Sequence, residues 1–204
     1  MSIARRFVGV VGCGLALSAV ACGADSAPAS PDGGAPAQKL SVRAAVFHGE
    51  GQPLTALEEG GVLPLVVPPQ GGHVVFVGAL IEGARTDYVK LTSTLTEPSG
   101  KLLASDARTV ALEVDPEQPT RKRTRIVSYT QQSNLTLCPN YAPRAVDGQT
   151  AHLTVEVSEL YVDAPTPVKT ELDVTPTCPA NGADSAACAC ECGASYVLGK
   201  CNGP

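Results

Sequence analysis

The chain has 204 residues, a formal net charge of −5, eight cysteines and no tryptophan. A net acidic chain is a poor general partner for nucleic acid or for an anionic membrane surface, so those binding classes are set aside. The length allows one sizeable domain with at most a small satellite.

The N-terminus reads as an export signal. Arg5 and Arg6 give a positive start, residues 7–20 are 14 uncharged and mostly apolar residues, and the small residues Ala19 and Ala21 close the stretch before Cys22. A membrane span needs about 20 apolar residues, so the segment is read as a cleaved signal and not as an anchor. Ala19-Val20-Ala21-Cys22 resembles the lipobox of bacterial lipoproteins, whose Cys becomes the acylated N-terminus after cleavage, and the resemblance covers residues 1–22. It implies lipidation of Cys22 and attachment to a membrane through that lipid. The departure is Ala19, where the family usually carries Leu, and Ala19-Val20-Ala21 is equally an A-x-A site for the ordinary signal peptidase. Both enzymes would cut the same bond. In this family an Asp directly after the Cys retains the protein at the inner membrane; Gly23 stands here, which implies the outer membrane or cell surface. Without acylation the product would be periplasmic or extracellular.

Cleavage before Cys22 removes Cys13 and leaves Cys22 with Cys138, Cys178, Cys188, Cys190, Cys192 and Cys201. Those six form an even set able to pair once Cys22 carries lipid, whereas an unmodified Cys22 leaves an odd thiol in an oxidising compartment. Cleavage also removes two of the 15 basic residues and none of the 20 acidic ones, so the mature charge is −7. Residues 23–38 contain Pro, Gly, Ser, Ala and Asp with no large apolar side chain and read as a flexible tether. As a coil, such a segment has an end-to-end distance of about 22 Å.

From residue 39 to 177 the recurring pattern is short period-two alternation bounded by turn residues, the mark of half-buried strands. Leu40, Val42, Ala44 and Val46 share one face; Val89, Leu91 and Leu95 another; then Val110, Leu112 and Val114, followed by Leu153, Val155 and Val157, and by Val168, Leu172 and Val174. Residues 73–81 break the alternation with a nearly continuous apolar run, which predicts a strand covered on both faces. Pro68-Pro69-Gln70-Gly71-Gly72 precedes it as a turn, and Glu97-Pro98-Ser99-Gly100 predicts a hairpin. No window after the signal peptide shows a helical period. The prediction is an all-β fold, an antiparallel sandwich of about eight strands, with a small barrel as the alternative. Asp147-Gly148 followed by the alternating strands at 151–157 and 168–174 is similar to the last hairpin of immunoglobulin-like and fibronectin-like modules. With no Trp for the core of antibody-type domains, the resemblance extends to architecture and not to that family.

Residues 178–204 carry five cysteines and too little hydrophobicity for a core of their own, so cross-links are expected, with disulfides the default in an exported protein. Cys138 lies at a strand end and is a candidate to staple this tail to the sandwich through Cys178. Residues 190–201, a C-x-C followed after eight residues by another Cys with an aromatic between, resemble the end of an EGF-like module. That resemblance implies a Cys192–Cys201 pair. The rival reading takes Cys188-x-Cys190-x-Cys192 as an extended soft-metal cluster, alternate residues pointing the same way toward Cu(I) or Zn. No histidine lies in this tail, and no cofactor or metal is assigned.

Arg121, Lys122, Arg123 and Arg125 are the one basic cluster, read either as a site for anionic glycan or as a charged loop or edge strand that blocks sheet aggregation. His48, His73 and His152 are scattered and read as surface or strand-end residues. No nucleophile-elbow, zincin or P-loop motif occurs, so no catalytic residue is assigned. The functional expectation is a non-enzymatic, lipid-anchored envelope protein with a structural or recognition role toward an envelope protein or glycan. Its alternatives are soft-metal binding through the C-terminal cysteines and an extracytoplasmic hydrolase without a recognisable motif.

Overall fold

The computed structural model describes residues 39–139 and 144–201; the signal segment, Cys22 and the tether lie outside the described residues. In chain order the elements are β1 (Ser41–Val46), β2 (Thr55–Ala56), β3 (Gly61–Pro64), β4 (His73–Glu82), β5 (Tyr88–Thr96), β6 (Leu102–Asp115), β7 (Gln118–Thr124), a 3-10 turn (Tyr129–Gln131), β8 (Ser133–Cys138), β9 (Ala151–Glu159), β10 (Val168–Thr177) and α1 (Ala183–Glu191). The protein is all-β in its body. The hydrogen-bonded strand order is β2-β1-β4-β7-β6-β5-β9-β10-β3, with β8 also on β4. Among the described strands the ladders are antiparallel apart from β3, which runs parallel to β10 from Gly61↔Val174 to Pro64↔Thr177.

Two strands organise this open sheet. β6 pairs with β5 from Leu102 to Ala111 and then with β7 from Leu112 onward, so one 14-residue strand carries the chain from one half of the sheet to the other. β4 accepts β1 on one edge and shares the other between β8 at His73–Val77 and β7 at Leu80–Glu82. The two halves contribute to one core, in which Val75, Val77 and Ile81 of β4 meet Leu91 and Leu95 of β5, Leu153 and Val155 of β9, and Val174 of β10. Each of these larger side chains, removed from water, contributes about 1.5–3 kcal/mol.

The apolar run at 73–81 is explained by this placement. Val75, Val77, Ala79 and Ile81 face the main core, while Val74 and Phe76 face a second cluster with Phe47, closed by the Tyr129 ring 4.7 Å from that of Phe76. Gly78 interrupts the run because a Cβ there would meet Gln132 Oε1 at 2.5 Å and Thr124 Oγ1 at 2.6 Å, two buried groups bonded to each other.

The alternation also has a limit. Val114, expected inward with Val110 and Leu112, is 58% exposed, while Asp115 is 2% exposed. The β6–β7 register shifts between these two residues as the strand turns, and Asp115 is drawn in by hydrogen bonds from Arg121 and from the Glu117 N–H. The predicted hairpin at 97–100 forms, with the Gly100 N–H donating to the Glu97 carbonyl at 2.8 Å and Gly100 at φ +83°.

Candidate functional site

The chemistry-bearing residues meet where α1 lies against the β4–β8 edge. β8 ends opposite the start of β4, which makes Cys138 the cross-strand partner of His73. The turn that allows this passes through Gly72 at φ +76°, where a Cβ would sit 2.6 Å from the Cys138 carbonyl oxygen. α1 grows from an Ala-rich run with good helix propensity, but its nine residues would be marginal alone. Covalent bonds hold it in place. Cys138 pairs with Cys192, Cys178 with Cys188, and Cys190 with Cys201.

This pairing corrects both proposed links. Cys192 bonds to Cys138 and not to Cys201, and Cys138 does not bond to Cys178. The reason is the helix: residues four apart share a face while a residue midway lies on the far side. Cys188 and Cys192 therefore face the sheet, fully buried, and Cys190 is turned away to reach Cys201. An extended Cys188-x-Cys190-x-Cys192 cluster does not form for the same reason.

His73 is the residue that sequence reasoning missed. It opens β4, as a strand-end histidine should, but it is 2% exposed and not at the surface. Its Nδ1 lies 2.9 Å from Glu191 Oε2 on α1, and its Nε2 is buried without a hydrogen-bond partner. A ring nitrogen of His73 and the sulfurs of Cys188 and Cys192 lie within 4.8 Å of one another, and those two sulfurs, from different disulfides, are 3.8 Å apart. The sequence held one usable hint, the four-residue spacing of Cys188 and Cys192 in an Ala-rich run; nothing in it linked either to His73. The helix end is further tied by the Val146 N–H donating to the Cys192 carbonyl at 2.8 Å, and the Cys178 N–H donates to Asp147 Oδ1 at 2.8 Å.

The other histidines are peripheral. His152 pairs with Asp173 at 3.1 Å on an exposed face, and His48 bonds to Thr55 at 3.0 Å. Three members of the basic cluster are on an interior strand and not an edge: Arg121, Lys122 and Arg123 lie on β7, which is paired to β4 on one side and β6 on the other, while Arg125 follows the strand end in an exposed connection. Each of the three on β7 has an acidic partner, Asp115, Asp87 and Glu113 respectively, at 2.5–2.9 Å. Burial pushes the Asp115 carboxyl up, but the Arg121 and Glu117 hydrogen bonds and the charges of Arg121 and Arg123 outweigh it and hold the group below the usual carboxylate range. Asp87 is also held low, by the hydrogen bond and charge of Lys122.

At another end of the sheet the Arg85 guanidinium and backbone N–H grip buried Glu159 at 2.5–3.0 Å, clamping the β4–β5 connection to the end of β9. Beyond this clamp the Tyr161 ring stacks edge-on to Tyr88 with centroids 6.1 Å apart. Tyr161 is 87% exposed and adopts φ +60°, a left-handed conformation that is uncommon for a bulky residue.

The chain matches no protein-family model and no curated protein sequence. What fold and site define is an extracytoplasmic all-β protein whose C-terminal helix is fastened by disulfides, since three such bonds form and persist in an oxidising compartment. No helix among the described residues is long and apolar enough to cross a membrane.

Proposed function

We propose that the chain is a lipid-anchored protein of the outer membrane or cell surface, acylated at Cys22, that does non-catalytic structural or recognition work in the envelope. The observation that carries this reading is the completeness of the cystine set. The three bridges use Cys138, Cys178, Cys188, Cys190, Cys192 and Cys201, leaving no other cysteine of the mature chain to pair with Cys22. An acylated Cys22 needs no such partner. The recognition role draws support from the exposed Tyr88–Tyr161 pair, because aromatic side chains with a polar tip are enriched at protein interfaces and strained backbone collects at functional loops.

Fractionation and intact-mass measurement of the native protein test the anchor. The expected result is a membrane-bound chain beginning at Cys22 with a diacylglycerol-sized mass increment, and a soluble chain for Cys22→Ser. A wild-type protein with a bare thiol at Cys22 defeats the reading. Photo-crosslinking from position 161 in intact cells tests recognition: one discrete envelope adduct supports it, and its absence counts against it.

A further inference from the structure

The His73 imidazole is buried at the helix–sheet contact, held at Nδ1 by Glu191 while its Nε2 has no hydrogen-bond partner. A buried ring nitrogen with no partner costs about 1–3 kcal/mol, which an apolar side chain of similar volume would avoid. We propose that, once the Cys138–Cys192 and Cys178–Cys188 bridges are opened by a dithiol, His73, Cys138, Cys188 and Cys192 bind one zinc ion.

The sheet supplies two ligands as the cross-strand pair His73 and Cys138, and the helix supplies two as the same-face pair Cys188 and Cys192. The Cys188 and Cys192 sulfurs are already 3.8 Å apart with a His73 nitrogen within 4.8 Å, and Cys138 is the bonded partner of Cys192. Three thiolates and one imidazole form a ligand set used by tetrahedral structural zinc. Glu191, 2.9 Å from Nδ1, fixes the ring as a carboxylate does behind zinc-bound histidine, leaving Nε2 for the metal.

Each bridge takes two electrons and two protons from one dithiol, which closes to its own disulfide. Two dithiols thus yield four thiols on the protein. Zinc binding then releases the protons of Cys138, Cys188 and Cys192, while His73 binds as neutral imidazole and Cys178 stays a free thiol. Zinc and disulfide are alternative cross-links for one helix, because each ligand sulfur is committed either to another sulfur or to the metal. None of this depends on the state of Cys22.

The test uses the full chain, reduced with a dithiol that is then removed without air, and titrated with Zn²⁺ against a chromophoric chelator and with Co²⁺ as a spectroscopic probe. The expected result is one metal per chain, thiolate-to-cobalt charge-transfer bands, and recovery by metal of helical circular dichroism lost on reduction. The Cys190→Ser, Cys201→Ser double variant should bind as wild type. Glu191→Gln should bind about 10- to 100-fold more weakly, and His73→Asn more weakly still. Absence of zinc uptake by the reduced wild type, equal uptake by the oxidised protein, or wild-type affinity in His73→Asn and Cys138→Ser overturns the proposal. If His73→Asn fails to fold when oxidised, Glu191→Gln, a quarter exposed on the helix, decides the matter, and unchanged affinity there overturns it.

Discussion

Removing the Cys138–Cys192 bridge should destabilise the protein more than removing Cys190–Cys201, by an amount that follows from chain length. The bridges close loops with sequence separations of 54 and 11. On the loop-entropy account the longer contributes about 4 kcal/mol and the shorter about 3, a gap of about 1.4 kcal/mol. Packing widens the gap, since Cys138 and Cys192 are fully buried while Cys190 and Cys201 are partly exposed. The comparison needs paired Cys→Ala substitutions, because a single one would leave Cys192 free beside Cys188, whose sulfur is 3.8 Å away. Guanidinium unfolding at 25 °C gives both stabilities by extrapolation, and the Cys138→Ala, Cys192→Ala variant should also show the steeper denaturant dependence, since its unfolded chain expands further. Against a total stability of about 5–15 kcal/mol a 4 kcal/mol loss is easily measured. Equal losses in the two variants, or a larger one for Cys190→Ala, Cys201→Ala, would refute the reasoning.

Arg121→Ala strands the Asp115 carboxylate with only 3% of its side chain exposed and should cost about 3–5 kcal/mol in chemical unfolding. The same group sets an acid limb: with its folded pKa lowered, Asp115 contributes stability that is complete above its unfolded value of about 3.9 and is lost as pH falls through the lower folded value, so the advantage of wild type over Asp115→Asn should shrink below about pH 4. Gly72→Ala forces a Cβ to within 2.6 Å of the Cys138 carbonyl at a positive φ and should cost about 1–3 kcal/mol, with slower closure of Cys138–Cys192 in a refolding time course read by thiol trapping. Leu153→Ala, at a fully buried position in the shared core, should lower stability by about 2–5 kcal/mol with the fold retained by circular dichroism.

The strands were legible where one face meets the core and the other meets water, as in β5 and β9, because that geometry imposes period two directly on the residues. β4 was legible for the opposite reason, burial on both faces. Val114 and Asp115 were not, because a register shift at a turn depends on partners from β7. Nor was α1: its order comes from bonds to residues up to 54 positions away, and its own apolar periodicity is slight. The same distance hid His73. A histidine at the start of an apolar strand carries no sign of a helix more than 100 positions later in the chain, yet that helix supplies the Glu191 contact that orients it.

The Cys138–Cys192 bond also governs how the molecule would respond to tension. For a chain held at one end and pulled from the other, the force crosses directly from sulfur to sulfur and bypasses everything between, including the whole β9–β10 hairpin. Roughly 180 Å of contour length, taking about 3.4 Å for each intervening residue, is thereby withheld from extension until the bond is reduced. Stretching would unravel the strands before Cys138, and the segment carrying β9 and β10 would come away as a closed covalent loop.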